Sequence, residues 1–258
     1  MDKSSFQKFF VNGNLDRIQY LYDKFNLTSK SGKDIVIGEF LTPDLYEGLR
    51  KAADYEGIII NIWEFYEGCE RKLCVLSEDN IISIELPIHI LKITNKSKFS
   101  QLCHRDYLGA LMSLDIKREK FADLIVKHDC AYVPVMKEFS QYIKDNLNKI
   151  SNSPCDISIL EVHDEDIPRP EFEKINAIIT SMRIDCVLSS IINKSRAVAV
   201  QYLDKGNVLV NYIGEHRKER LVDMGDIITV RGYGKYKIAD IIGKTQKDRI
   251  KVLFHKFV

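Results

Sequence analysis

The chain has 258 residues, 45% hydrophobic and 29% charged, which is enough for one large domain or about two to three small ones with real cores, in a soluble globular protein. No apolar run approaches the ~20 residues that cross a bilayer, and the polar start Met1-Asp-Lys-Ser-Ser5 lacks a signal-peptide core, so a cytoplasmic protein without a membrane span is expected. The net charge of +1 hides an asymmetry: residues 171–258 carry 16 Lys and Arg against 10 Asp and Glu, leaving 22 against 27 in residues 1–170, so a polyanion would be held by the C-terminal part through salt-sensitive phosphate contacts.

Apolar residues at helical spacing open the chain: Phe6, Phe9 and Phe10, then Ile18, Leu21, Tyr22 and Phe25. Asn12-Gly13-Asn14 separates two helices, the second starting at Leu15 and Asp16. Thr42 as N-cap and Pro43 at the first helical position predict another helix through Leu45, Leu49 and Ala52. Residues 57–63 have the length and apolarity of a strand, and the polar stretch 64–72 reads as a loop. This N-terminal quarter carries no recognisable chemistry.

Residues 81–162 read as strand 82–93 with Pro87 marking an edge or bulge, helix 105–114 with Tyr107, Leu108, Leu111 and Met112 on one side, strands 122–126 and 131–135 joined as a hairpin at 127–130, helix 138–149 with Phe139, Tyr142, Ile143 and Leu147 inward, and strand 157–162. The order is βαββαβ, a ferredoxin-like plait, which by itself says nothing about function. His104-Arg-Asp invites comparison with a kinase catalytic loop, but that pattern needs Asn where Leu111 stands, and there is no G-x-G-x-x-G loop. With Lys117, Arg118 and Lys120 beyond the helix, His104 and Arg105 form a candidate phosphate-contacting patch; the alternative is a helix cap among solvated charges.

Further on, Ile184, Val187, Leu188, Ile191 and Ile192 form one apolar helix face. Ser195 supplies an N-cap oxygen for a second helix from Arg196, with Ala199, Tyr202 and Leu203 inward, Gly206 as a left-handed C-cap and Val208 and Val210 alternating in a strand. Arg183, Lys194, Arg196 and Lys205 flank the helix ends, and Ser195 and Arg196 stand at a helix N-terminus, where free N–H groups and the dipole favour a phosphate. No nucleophile or acid/base pair accompanies them, so the pattern predicts a binding surface. Arg231-Gly-Tyr-Gly-Lys-Tyr-Lys-Ile238 partly matches the aromatic RNP1 strand of an RRM, but Lys235 occupies an aromatic position; it reads as a strand offering Arg231, Lys235 and Lys237 to phosphates. A turn at 243–248 leads into a strand over 250–257, an added hairpin closing the sheet, with Lys244, Lys247 and Arg249 along its basic edge.

The six cysteines, Cys69, Cys74, Cys103, Cys130, Cys155 and Cys186, form no C-x-x-C pair and have no His cluster with them. Reduced, mostly buried thiols are expected, with no metal and no cofactor.

The blocks R-I-D-C-V-L, S-R-A-V-A, G-N-V-L-V-N and G-D-I-I-T-V-R-G, in that order at matching spacing, closely resemble the S4 RNA-binding domain over the last third of the chain. Tyr212 stands where that family usually has glycine, which predicts a wider hairpin, and Asn207 and Leu209 stand where basic residues are common. Arg183-Ile-Asp185 is similar to the R-L-D of pseudouridine synthases, but their S4 unit precedes a long catalytic domain, and Asp185 is expected to be a helix N-terminal carboxylate. H-R-D-Y-L-G-A-L-M-S-L from His104, the later K-R-E-K and the upstream C-E-R-K-L extend the resemblance over most of the chain, to the YlmH family of ribosome-associated S4 proteins; Glu64-Phe65-Tyr66 departs from that family's usual Gly-Gly-Tyr.

The resemblance implies an α+β protein with a mixed, largely helical region over 1–78, a plait-type RNA-binding domain over 79–168 and an S4 domain over 174–258. It also implies a monomeric, non-catalytic protein binding structured ribosomal RNA or tRNA, on the large ribosomal subunit carrying a stalled peptidyl-tRNA. An RNA-modifying enzyme and a cell-division adaptor are the alternatives; against the enzyme, the sequence offers no Gly-rich cofactor loop and no convincing acid/base pair.

Overall fold

A computed structural model describes residues 1–10, 14–66, 69–79, 84–162, 168 and 171–257. The chain divides into two compact units, residues 1–170 and 171–258, and both mix helices with antiparallel sheets, so the protein is α+β.

The first unit begins with α1 (Lys3–Gln7), α2 (Leu15–Ser31), β1 (Ile35–Val36), α3 (Pro43–Glu56), β2 (Ile59–Trp63) and β3 (Leu73–Ser77). The Asn12-Gly13 break lies outside the described residues, but Asn14 caps α2, its side-chain oxygen accepting the Asp16 N–H at 2.8 Å. Pro43 opens α3 as expected, although Thr42 makes no side-chain cap bond. The strands pair in the order β1-β3-β2, and Phe6, Leu21, Phe25, Leu49 and Leu76 fill a core against them. Gly48 lets α3 approach that core: a Cβ there would lie 2.6 Å from the Phe10 ring. β3 has no counterpart in the sequence reading, because all five of its residues are buried and alternation, the usual mark of a strand, is absent.

The plait follows with β4 (Ile88–Asn95), α4 (His104–Met112), β5 (Ile125–Lys127), β6 (Cys130–Met136), α5 (Lys137–Asn146), β7 (Lys149–Ile150) and β8 (Ser153–Leu160). Its sheet runs β5-β6-β4-β8-β7, the ferredoxin-like arrangement with a short added strand at one edge. Several expectations shift. The first strand starts after Pro87, and β4 lies between β6 and β8 in the middle of the sheet, so the proline, which has no N–H to give, stands before the ladder and not at its edge; expected residues 82 and 83 are outside the described set. The Pro87 carbonyl accepts the Lys137 N–H at 2.8 Å, where α5 begins. α5 stops at Asn146 because Lys149 and Ile150 pair with Pro154 and Ser153, which also starts β8 earlier than expected. Tyr107, Leu111 and Ile143 are fully buried against the sheet, whereas Met112 and Tyr142, expected inward, are 39% and 48% exposed.

On the opposite face of this sheet Ile88, Ala122 and Met136 share a core with Phe40, Cys69 and Leu73 of the N-terminal part. Asp123 reinforces the junction by accepting the Glu70 and Arg71 N–H groups at 2.8 and 2.9 Å. Three of the six unpaired cysteines, Cys69, Cys74 and Cys186, are buried; Cys103 is exposed, so "mostly buried" is too strong.

The second unit comprises β9 (Phe172–Ile179), α6 (Ile184–Ile191), α7 (Arg196–Asp204), β10 (Val208–Val210), β11 (Ile213–Gly214), β12 (Ile227–Val230), β13 (Gly234–Lys244) and β14 (Ile250–Phe257). The sheet order is β11-β10-β12-β13-β14-β9, all antiparallel. β9 was not expected, and it makes β14 an inner strand. The apolar stripe of α6, with Ala199 and Leu203 of α7, packs on one face against Val208, Val210, Ile228, Val230, Tyr236, Ile238, Val252 and Phe254. Gly206 takes φ +67°, and Asn207 and Gly206 donate to the Tyr202 and Leu203 carbonyls at 2.9 Å, closing α7 as a left-handed cap. The β10–β11 hairpin is tight: Asn211 and Tyr212 alone form the turn, at φ 51° and 68°, the positive-φ pair of a type I′ turn. The wider hairpin expected from Tyr212 is therefore corrected. Asn211 holds the turn, donating to Asp226 at 2.7 Å and accepting the Ile227 N–H at 2.9 Å.

Two buried carboxylates tie the start of α6 to its neighbours. Asp185, 3% exposed in the first turn of α6, accepts Nε and Nη2 of Arg183 at 3.2 and 3.1 Å and Nη2 of Arg196 at 2.6 Å. Glu215, also 3% exposed, takes Arg217 at 3.0 and 3.1 Å and Arg220 at 2.7 Å. The Arg220 carbonyl in turn accepts the Ile184 N–H at 2.8 Å, so the second clamp supports the start of α6. Burial pushes the Asp185 carboxyl up, but its two arginines outweigh that and hold it at about 2; Arg217 is the main cause that holds Glu215 at about 2, against burial and with help from Arg220.

Both carboxyls, ordinarily at 3.8 and 4.5, thus stabilise the fold while ionised. That contribution is complete above about pH 5 and is lost as the pH falls toward about 2. Melting temperatures followed by circular dichroism should drop through this window, and Asp185→Asn should make the drop shallower; an unchanged acid limb in the variant would contradict the clamp.

Candidate nucleic-acid interface

The clamp on Asp185 gathers two arginines at one corner of the second unit. Arg183 is the N-cap residue of α6 and Arg196 the first residue of α7, and both lean on one carboxylate, so two guanidiniums about a buried anion leave one net positive charge. Neither has a further acceptor among the described residues, so the remaining N–H donors face outward. Lys194 and Ser195 link the helices and are exposed. Lys194 is fixed by its backbone, its carbonyl accepting the Ser189 hydroxyl at 2.7 Å and its N–H donating to the Ser189 carbonyl at 3.1 Å. The Ser195 hydroxyl accepts the Val198 N–H at 3.4 Å, as expected of a cap, which leaves the other first-turn N–H groups and the helix dipole toward solvent.

The structure brings Arg183, Lys194, Ser195 and Arg196 together and sets the other expected contacts elsewhere. Lys205 caps the opposite end of α7, where Arg231, in the β12–β13 turn, donates its N–H to the Asn207 carbonyl at 2.9 Å. Tyr202 and Tyr233 meet edge to face beside this end, at 5.5 Å between centroids. Strand alternation turns Lys235 and Lys237 to the face away from the helices, because Tyr236 and Ile238 between and beyond them point into the core.

In the plait, His104 starts α4, and Arg105 and Lys117 are exposed. Arg118 and Lys120 are drawn into the protein. Arg118 Nη1 donates to the Phe121 and Ala122 carbonyls at 2.7 and 3.1 Å, and Lys120 Nζ donates to the Gly38 carbonyl at 2.7 Å and pairs with Glu138 at 3.2 Å. Arg105 instead lines an open cleft of about 390 Å³ with Asp106, Gly109, Ala110, Ser113, Lys149 and Ser151. Hydrogen bonds from Cys103 hold the Asp106 carboxyl below its ordinary value, so the carboxylate is retained by its own helix cap. Lys149 was missed in the sequence because it was assigned to a helix; as a β7 residue it stands across the cleft from Arg105.

A family model described as "Putative RNA-binding domain in YlmH" matches residues 83–164, the plait. The "Ribosome-associated protein quality control protein P2" of Bacillus subtilis (strain 168) is 27% identical over 193 residues, which cover 74% of this chain and 75% of that protein. Among solved structures, the "Cell division protein ylmH from Streptococcus pneumoniae" is 18% identical with a TM-score of 0.47, over 62% of this chain and 99% of that one. At that score the structural likeness carries no argument. The matched domain, and a relative aligned along about three-quarters of both proteins, support the resemblance to the YlmH family that the sequence motifs carry.

Proposed function

We propose that this protein is a non-catalytic RNA-binding protein of the ribosome, which grips the phosphate backbone of structured ribosomal RNA or tRNA with the α6–α7 corner. The observation that carries the reading is the Asp185 clamp: two arginines held at fixed angles beside a helix N-terminus suit the forked recognition of phosphate oxygens. Contacts of this kind read the shape and backbone of folded RNA more than its sequence. The S4 resemblance of the same residues supports this reading of the corner. The plait would add a second backbone contact at the Arg105 and Lys149 cleft. The relative's name supports a place in quality control of translation, and the finer assignment is the large subunit carrying a stalled peptidyl-tRNA.

Removing the arginines alone would strand a buried anion, so the informative variant is Arg183→Ala with Arg196→Ala in an Asp185→Asn background, compared with Asp185→Asn alone. Its affinity for a folded ribosomal RNA fragment should fall about ten-fold or more, and the slope of log affinity against log salt should shrink by about two, one for each lost phosphate contact. An unchanged slope would contradict the assignment of the corner. For the ribosome, cell lysate is sedimented through sucrose at low and high salt. The protein should travel with the large subunit at low salt and leave it at high salt; a protein that stays at the top of the gradient even at low salt would refute the reading.

A further inference from the structure

The sheet of the second unit has a face that α6 and α7 do not cover. Cross-strand partners share a face, so Lys174, His255 and Lys237 form one row across β9, β14 and β13, and Phe172 and Phe257 are partners in the next. The Phe172 and His255 rings stack at 5.4 Å with 16° between their planes, and Phe172 meets Phe257 edge to face at 5.0 Å. Lys235 continues the strip, its Nζ 5.0 Å from the Phe257 ring centroid and 5.3 Å from that of Tyr212. The rings thus run from β9 to the β10–β11 turn, with the exposed Lys174 and Lys237 alongside. No carboxylate stands in these two rows; Asp240, opposite Leu253, is on the next register step.

The turn supplies an independent sign. Tyr212 sits at φ 68°, a conformation that glycine adopts without strain and a bulky residue resists. A strained position that nevertheless bears an aromatic ring, with its hydroxyl 3.3 Å from Lys235 Nζ, marks a side chain with a use beyond the turn.

We propose that this sheet face is a second RNA surface, which takes unpaired nucleotides by stacking their bases on Phe172, His255, Phe257 and Tyr212 while Lys174 and Lys237 meet the phosphates. The proposal rests on the RNA-binding reading above and adds a ligand class to it, since the α6–α7 corner suits folded backbone and a flat ring-bearing sheet suits single strands. Charge selects the occupant: rings alternating with lysines, and no acid among them, fit a polyanion with π-faces better than an apolar protein patch.

The test uses the full chain with two probes, a fluorescein-labelled oligouridine of about 12 nucleotides and a blunt RNA duplex. Phe172→Leu and Tyr212→Gly are the variants; glycine relaxes the turn, so the second variant keeps its fold, and melting curves check both. Each should lower oligouridine affinity about five-fold or more and leave duplex affinity unchanged. If oligouridine affinity is unchanged while the duplex still binds, the strip is overturned and the function stands. If the unaltered chain binds neither probe, the RNA-binding reading falls and takes the strip with it. A change confined to oligomeric state would also overturn the proposal, marking the face as a contact between copies of the chain.

Discussion

A carboxylate removed from water must be given cations and hydrogen bonds in return, and Asp185 imposes that requirement on the whole second unit. Its side chain is almost completely buried in the first turn of α6, and the groups that satisfy it come from the residue before that helix and the first residue of the next. α7 is thereby fixed against α6 at its N-terminal end, beside the apolar packing of Ile184 and Ala199. The Glu215 clamp repeats the device one layer out, tying the 215–222 segment to the start of α6 through the Arg220 carbonyl.

The same interaction has a consequence for binding. A free arginine loses rotamer freedom when it grips a phosphate, and that loss weakens the complex. Arg183 and Arg196 have lost much of it already, because Asp185 orients them in the unbound protein. Asp185 cancels one of the three positive charges of the corner and fixes the direction of two; under the proposed function it serves precision of contact more than raw attraction. The excess of cations in residues 171–258 supplies the long-range part of that attraction, against the acidic excess of residues 1–170.

Legibility in the sequence followed the range of the forces involved. α6, the Ser195 cap, α7 and Gly206 were readable because each depends on neighbours within a few residues: apolar spacing, a cap oxygen, a residue tolerant of positive φ. The βαββαβ order was readable for the same reason, since hairpins and amphipathic helices are local. β3 was hidden by burial on both faces, and β9 because its partner among the described strands, β14, is at the far end of the chain. The arginines were recognised as surface cations, but the carboxylate that gathers them was taken for a dipole partner alone, since sequence shows charge and not burial. Arg118 and Lys120 looked like phosphate ligands, and only the folded chain reveals the carbonyls of Phe121, Ala122 and Gly38 that engage them. Tyr212 misled in the other direction: a residue that disfavours the tight turn occupies it, because Asn211 locks the turn from the side.

The claim on which the account depends is that folded RNA meets the protein at the α6–α7 corner. Ultraviolet cross-linking of the full chain to a folded ribosomal RNA fragment, followed by mass spectrometry of the linked peptides, tests it without altering a residue. The account predicts linked peptides spanning residues 183–205, with any plait signal confined to the segments bearing Arg105 and Lys149. Cross-links confined to residues 1–170 and away from that cleft would contradict it.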